Sequence, residues 1–215
     1  MTYSKRLLMA GLICTSFTTG LLGSPTKADE QEYYLTIGGG LASINDNEWI
    51  QGSYSGDLLH DSGFSGEIGI GKDFGRYRIE TTYARNTGDL EAISIDQAGV
   101  AVSVSGGLSQ DGVFVTALYD LTEDEDAITT PYIGAGIGYN RTKWDNVTVA
   151  GTNFGDSWVS NVATQLKVGT LFDVSEESDF FIEGVYSLQS GYTLDNFTWG
   201  TVGAWSVRTG LKFTF

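Results

Sequence analysis

The sequence has very little of several residue types on which other protein classes depend. It contains one Cys, two Pro, two Met and one His in 215 residues, and 12 Lys+Arg against 27 Asp+Glu, a formal net charge of −15. A single thiol excludes an intramolecular disulfide framework. So few basic residues exclude a nucleic-acid-binding surface spread over the chain, because phosphate contacts need clustered Lys and Arg. We therefore expect no nucleic-acid partner.

Long apolar runs are also scarce, and the one candidate lies at the N-terminus. Lys5 and Arg6 precede an apolar run at 7–14, and the small residue Ala28 follows a more polar stretch. This pattern predicts a secretory signal peptide over residues 1–28, with export through the Sec pathway. A membrane-anchor helix is the alternative, but the run is shorter than the about 20 apolar residues that such a helix needs.

Removal of the predicted signal peptide sharpens the composition. Residues 1–28 contain three bases, no acid, both methionines and Cys14, so residues 29–215 carry 9 Lys+Arg against 27 Asp+Glu, a net charge of −18. The predicted mature domain, 29–215, therefore has no thiol that could form a disulfide or bind a metal. Packing and backbone pairing must hold it together.

The residues that are abundant point to β-strands. Glycine occurs 29 times, and aromatic residues make up 13% of the chain. Apolar and polar residues alternate over stretches of about ten residues, the length of a tilted strand that crosses a bilayer. In residues 203–215, one face is apolar and aromatic from Trp205 to Phe215, whereas the other face carries Arg208 and Lys212.

Eight segments follow this pattern, and the connections between them differ in length. The segments are 33–42, 64–74, 77–86, 112–121, 131–142, 161–172, 179–189 and 203–215. Long connections (43–63, 87–111, 143–160, 190–202) alternate with shorter ones (75–76, 122–130, 173–178). This asymmetry is typical of outer-membrane barrels. The sequence predicts an all-β, eight-stranded antiparallel transmembrane β-barrel with short periplasmic turns and long extracellular loops. Residues 92–95 and 100–104 are predicted to extend two strands as a hairpin.

Strand parity places nine ionisable side chains inside this barrel. They are Glu67, Asp73, Arg78, Glu80, Asp120, Lys167, Glu183, Arg208 and Lys212. Buried charges persist only when they are paired, so we expect Glu183 to meet Lys167 and Arg208, and Glu80 to meet Arg78 or Lys212. An eight-stranded barrel has room only for side chains, which favours a polar plug. A narrow, gated ion path is the alternative.

Other charged and aromatic residues fall near the strand ends. Arg85, Arg141 and Lys143 point outward at the expected external rim, where they could reach lipid phosphates. Most remaining acids lie in loops and turns, where we interpret them as a solvated, acidic surface. Two aromatic belts are expected, with Tyr83, Tyr139, Trp205 and Trp199 at the external end. At the short-turn end they are Phe74, Tyr77, Tyr119, Phe172, Phe180 and Phe213.

Three motifs resemble those of opacity-type barrels, the small outer-membrane proteins related to the outer-membrane protein A barrel. Residues 131–139, PYIGAGIGY, are similar to the fifth strand of that family, and residues 77–85, YRIETTYAR, to its third strand. Gly134, Gly136 and Gly138 fall on the inward face. The chain ends in KFTF, and Phe213 and Phe215 resemble the signal read by the barrel-assembly machinery. The resemblance implies a monomer in the cell outer membrane that contacts outer-membrane lipid and lipopolysaccharide.

The residues do not support an enzyme. A lipid A deacylase would need a Ser–His–acid set, and the only His is His60, beside Asp61 and Ser62 in the first external connection. We therefore predict no catalytic residue, no metal site and no cofactor. The predicted function is a non-enzymatic surface or envelope protein, adhesin-like or structural, with a mostly plugged lumen. A narrow porin-like channel is the main alternative, and a lipid-modifying barrel and a soluble lipocalin-like binder are less favoured.

Overall fold

The alternating segments form β-strands throughout the computed structural model, which describes residues 32–122, 127–194 and 197–215. The predicted signal peptide and the acidic stretch 123–126 lie outside these residues. The strands are β1 (Tyr33–Ile44), β2 (Asn47–Gln51), β3 (Tyr54–His60), β4 (Gly63–Asp73), β5 (Tyr77–Ile95), β6 (Val100–Asp120), β7 (Thr129–Val149), β8 (Thr152–Ser175), β9 (Ser178–Gln189), β10 (Tyr192–Leu194), β11 (Phe197–Trp199) and β12 (Val202–Thr214).

Eight of these strands form a closed antiparallel ring. The order around it is β1–β4–β5–β6–β7–β8–β9–β12, and β12 pairs back with β1 from Ala204 to Thr214. Closure leaves no strand edge in the bilayer, where an unpaired backbone group would cost several kcal/mol. The predicted eight-stranded antiparallel barrel is confirmed. The described residues include no helix with the length and apolar character needed to cross a membrane.

The two-residue period separates a lipid-facing surface from the lumen. Along β1, for example, Leu35 and Ile37 are exposed, whereas Tyr34 and Thr36 between them are buried. Large apolar side chains cover the outside of the other ring strands in the same way, including Ile68, Val115, Ile133, Leu166 and Val207. A soluble barrel would bury this apolar face. An apolar exterior around a polar interior is the arrangement expected in lipid.

The external connections contain more β-structure than the sequence indicated. β5 and β6 extend as the predicted hairpin, with Ile95 opposite Val100, but β7 and β8 also extend, to Val149 and from Thr152. Residues 47–60 form the hairpin β2–β3, and β3 pairs with β5, with Leu58 opposite Ile93. β10 and β11 join the other side of β2. Most of the external segments interpreted as loops are therefore strands of a sheet that continues above the barrel.

This external sheet has an apolar core of its own, which the sequence analysis missed. Its buried members come from β1, β3, β5, β6, β7, β10 and β12, and the largest side chain among them is that of Trp144. Trp199 packs on Trp144 with ring centroids 5.0 Å apart. The assignment of Trp199 to the external aromatic belt is therefore wrong, because its ring lies against this core. The remaining buried members are Ile44, Leu58, Leu90, Val104, Leu108, Tyr192, Val202 and Ala204.

Candidate functional site

Five of the inward-facing charged side chains form a central cluster in the lumen. Lys167 on β8 is its centre: the Nζ atom lies 2.7 Å from Glu67 Oε1, 3.1 Å from Glu80 Oε1 and 3.4 Å from Glu183 Oε1. These three carboxylates come from β4, β5 and β9, so one ammonium group ties together strands on opposite sides of the lumen. All four side chains are buried.

Arg208 on β12 completes the cluster. Its Nη1 atom lies 2.6 Å from Glu67 Oε2 and 3.7 Å from Glu183 Oε1, and its Nε donates to Ser65 Oγ at 2.6 Å. The expected contacts of Glu183 with Lys167 and Arg208 are therefore present. The expected partner of Glu80 is different, because Glu80 contacts Lys167 rather than Arg78 or Lys212. The cluster contains three carboxylates and two cations.

The other inward charges pair nearer the periplasmic end. Arg78 donates from Nη2 to Asp120 Oδ1 at 2.6 Å and from Nε to Asp120 Oδ2 at 3.1 Å, a fork-like contact. Lys212 lies 3.0 Å from Asp179 and 3.9 Å from Asp73. Asp179 begins the predicted strand segment 179–189 but is not among the predicted lumen charges. Its position opposite Lys212 in the β9–β12 register is the signal that could have identified it.

Apolar and aromatic side chains close the lumen on both sides of the central cluster. On the periplasmic side are Leu118, Tyr132, Leu171 and Phe181, with the Arg78 guanidinium 4.8 Å from the Tyr132 ring centroid. On the external side is the core of the external sheet. The space left beside the cluster is a cavity of about 10 Å³. Such a volume holds about one water molecule. In the described residues, the lumen is filled rather than open.

The three lumen glycines face the large residues of the neighbouring strand. Gly134, Gly136 and Gly138 on β7 lie directly opposite Leu118, Thr116 and Phe114 on β6. A Cβ atom at Gly134 would lie 2.4 Å from Leu118 Cδ2, and one at Gly138 would lie 2.2 Å from the Val113 carbonyl oxygen. The absence of side chains on β7 is therefore what admits the buried side chains of β6.

The rim bases are on the outer surface and divide into two groups. Arg85 and Arg141 are about half exposed, at 53% and 54%, and both lie beside Asp111. Lys143 contacts Asp145, and its Nζ is 3.7 Å from Asp156. Lys143 is therefore neutralised locally by two carboxylates, whereas the two arginines share one.

The predicted assembly signal lies at the strand that closes the ring. The Phe215 N–H donates to the Tyr33 carbonyl oxygen at 2.8 Å, and Tyr33 N–H donates to the Phe215 carbonyl oxygen at 3.3 Å. Both terminal aromatic rings are exposed on the outside, Phe213 at 40% and Phe215 at 73%. Recognition by the assembly machinery remains a prediction.

His60, the one candidate for nucleophilic catalysis, ends β3 in the external sheet. Its side chain is fully buried, and its Nδ1 lies 3.9 Å from Asp46 Oδ1, while the His60 backbone N–H donates to the same oxygen at 3.1 Å. Its neighbouring acid is thus Asp46 and not Asp61. Burial lowers the pKa of His60 to about 4, against the opposing effect of Asp46. A neutral ring enclosed in the sheet is out of reach of a lipid substrate.

The buried His60 predicts that acid loosens the external sheet. When the hairpin opens, the His60 imidazole takes up a proton near its ordinary pKa of 6.5, whereas in the folded hairpin its pKa is about 4. The free energy of opening the hairpin is therefore highest above pH 6.5 and falls as the pH drops from 6.5 to 4. Hydrogen exchange at Leu58–His60, corrected for intrinsic rates, should show the open population rising by up to roughly two orders of magnitude. The same rise in His60→Asn would contradict the assignment to His60.

Comparisons with known proteins agree with this geometry at the level of the fold. No family model matches the chain, and no curated protein matches it in sequence. Neisserial surface protein A is similar in structure, with a TM-score of 0.58 and 18% identity over 85% of this chain and 97% of that chain. The outer membrane protein OprG from Pseudomonas aeruginosa gives a TM-score of 0.55 and 14% identity over 86% and 96%.

The chain has the fold of a small outer-membrane β-barrel. Its apolar exterior and closed ring agree with a location in the cell outer membrane. At these identities the similarity extends to the fold alone, so the activity has to be argued from the residues of this chain.

Proposed function

We propose that this outer-membrane barrel is a non-enzymatic surface protein with a closed lumen, whose external sheet is the part that meets the surroundings. The observation that carries the proposal is the filled interior, in which buried ion pairs lie between two apolar layers. A pore would need a continuous row of water-sized spaces, and the central cavity holds about 10 Å³.

The external sheet supports the second half of the proposal. The strands β2, β3, β10 and β11 pair above the ring, where a separate apolar core lies, and a path through the ring does not require them. Their outward side chains include Ile50 and Tyr54, at 44% and 59% exposed, beside acidic Glu48 and Asp57. An acidic, packed sheet of this kind suits an adhesin-like or structural role at the cell surface.

The conduction of ions tests the closed lumen directly. Refolded full-length barrel in planar bilayers should give flat current traces at moderate voltage, because the Lys167 and Arg208 pairs and both apolar layers block the path. The Arg208→Ala variant is the matched comparison, since it removes a long buried side chain from the central cluster. Discrete conductance steps in the unmodified protein, altered in Arg208→Ala, would instead establish the narrow porin-like channel.

A further inference from the structure

The charges of the central cluster do not balance. Three carboxyl groups, those of Glu67, Glu80 and Glu183, face two cations, Lys167 and Arg208. All five side chains are buried. A buried carboxylate without a compensating charge is so costly that such a group takes up a proton instead. One negative charge of the cluster therefore needs a positive charge from another source.

The other inward-facing cations of the described lumen are already paired. Arg78 donates two hydrogen bonds to Asp120, and Lys212 lies between Asp179 at 3.0 Å and Asp73 at 3.9 Å. Arg78 and Lys212 both border the cavity beside the cluster, but each is neutralised by a carboxylate of its own. They do not supply the missing charge.

The hydrogen bonds show that two of the three carboxyl groups are held as anions. Both oxygens of Glu67 accept from cations, Oε1 from Lys167 Nζ at 2.7 Å and Oε2 from Arg208 Nη1 at 2.6 Å. Glu80 accepts from Lys167 Nζ at 3.1 Å through Oε1 and from the Thr36 hydroxyl at 3.3 Å through Oε2. All four oxygen atoms thus have a donor.

Glu183 differs from both. Its Oε2 accepts from the Tyr132 hydroxyl at 3.0 Å, but its buried Oε1 has no hydrogen-bond partner within the described residues. Lys167 and Arg208 approach this oxygen only to 3.4 and 3.7 Å, and their hydrogen bonds go to other atoms. Glu183 also borders the cavity of about 10 Å³, which holds about one water molecule. A carboxylic O–H at Oε1 suits these surroundings, because it supplies the donor that the site lacks.

We propose that the closed lumen is a proton-binding site, in which Glu183 carries a proton on Oε1 at neutral pH and a water molecule in the adjoining cavity accepts its hydrogen bond. The proton brings the cluster to two negative and two positive charges. Glu183 Oε2 remains an acceptor for Tyr132. This inference rests on the closed lumen of the proposed function, since an open lumen would hydrate an ionised Glu183.

The pH range of the test is set by the groups around Glu183. The charged and titratable groups that face it or border the cavity are Lys167 on β8, Arg208 and Lys212 on β12, Glu67 on β4, Arg78 and Glu80 on β5, and Tyr132 on β7. Between about pH 7 and 9, unfolded glutamates are ionised and unfolded lysines, arginines and tyrosines are protonated. His60 is neutral in both states in this range. A proton bound only by the folded protein is then the one that unfolding releases.

Urea unfolding of the full chain in lipid vesicles measures this proton. The unfolding equilibrium constant should rise about tenfold for each pH unit, hence about a hundredfold between about pH 7 and 9, because the folded state holds one more proton than the unfolded state. Glu183→Gln should remove this dependence, since glutamine offers an acceptor and an N–H donor and does not ionise. Glu48→Gln, which changes an exposed acid on β2, is the matched control and should keep the full slope.

Infrared spectra of the folded barrel in D₂O give a second measurement that needs no unfolding. At neutral pH we expect the carbonyl band of a buried carboxylic acid, present in Glu48→Gln and absent from Glu183→Gln. Persistence of the band in Glu183→Gln would overturn the assignment. So would an unfolding constant that is independent of pH, or one that follows the sodium concentration instead, as a buried sodium ion would require. Any of these results with flat bilayer currents would contradict the proton site alone, whereas discrete conductance steps would contradict the closed lumen on which it rests.

Discussion

Replacing Lys167 with Met lowers the free energy of unfolding of the barrel by an expected 3–5 kcal/mol, roughly the cost of leaving buried charges without their partner. The Lys167 ammonium group contacts Glu67, Glu80 and Glu183 within 3.4 Å. In the variant, Arg208 alone faces these three carboxylates, and it contacts only two of them. Urea unfolding in lipid vesicles, followed by tryptophan fluorescence, measures the loss.

Two further variants test whether the loss of stability comes from the central cluster. Lys167→Met/Glu80→Gln should regain at least about 1 kcal/mol, because Lys167 is the cation that Glu80 contacts in the described residues, and neutralising both removes the unpaired charge. Lys72→Met should cost less than about 1 kcal/mol, since the Lys72 ammonium lies over the Tyr33 and Phe74 rings and not in the lumen. Unfolding of Lys167→Met at the urea concentration of the unmodified protein would contradict a structural role for the cluster.

The alternating pattern could predict this barrel because every strand in the membrane obeys one rule. Side chains two residues apart share a face, so a run of apolar residues at every second position identifies the lipid side, and the charges between them must face the lumen. Glu67 and Arg208 could be placed inside in this way without knowledge of their partners. The even number of segments and the alternating connection lengths then left a closed antiparallel ring as the fold.

The partners of the inward charges could not be predicted, because they depend on the stagger between strands. Arg78 and Glu80 share the inward face of β5 two residues apart, and the sequence cannot say which level of the lumen each one reaches. In the structure Arg78 meets Asp120 near the periplasmic end, whereas Glu80 lies one level higher beside Lys167. The shear of a barrel sets this level, and shear is a property of all the strands together.

Outside the predicted hairpin of residues 92–95 and 100–104, the sequence pattern predicts loops where the structure has the external sheet, because the alternation is interrupted. Register shifts occur between Asp89 and Ala92 on β5 and between Ser105 and Gly107 on β6. Asn146 on β7 has a φ of 52°, in the left-handed region. A bulge of this kind moves the following side chains to the other face, so that neither face reads as continuously apolar. Long-range packing of Trp144 and its neighbours then stabilises strands that the local pattern does not indicate.

Gly134→Leu should also destabilise the barrel strongly, because this glycine lies in the packed lumen. An added Cβ would lie 2.4 Å from Leu118 Cδ2 and 3.1 Å from the Ala117 carbonyl oxygen, and the cavity that Leu118 lines has a volume of only about 10 Å³. We expect a loss of about 3 kcal/mol or more, the upper end of what overpacking costs. The same urea titration measures it, and retention of the heat-resistant band on gels reports whether the variant still folds.

A swap of the two side chains keeps the prediction testable even where the single variant fails to fold. Gly134 and Leu118 lie directly opposite each other on β7 and β6, so Gly134→Leu/Leu118→Gly conserves the volume of the pair. The double variant should recover at least about 1–2 kcal/mol relative to Gly134→Leu. Gly66→Leu is the control, because no atom lies within 4 Å of a Cβ at this position, and it should change stability by less than about 1 kcal/mol. An equal loss at Gly66, or no recovery in the swap, would show that the glycines of β7 serve the backbone rather than the packing of β6. Recovery confined to the swap would instead mean that the lumen is closed by complementary side-chain volumes, which is the property that a sealed surface barrel requires.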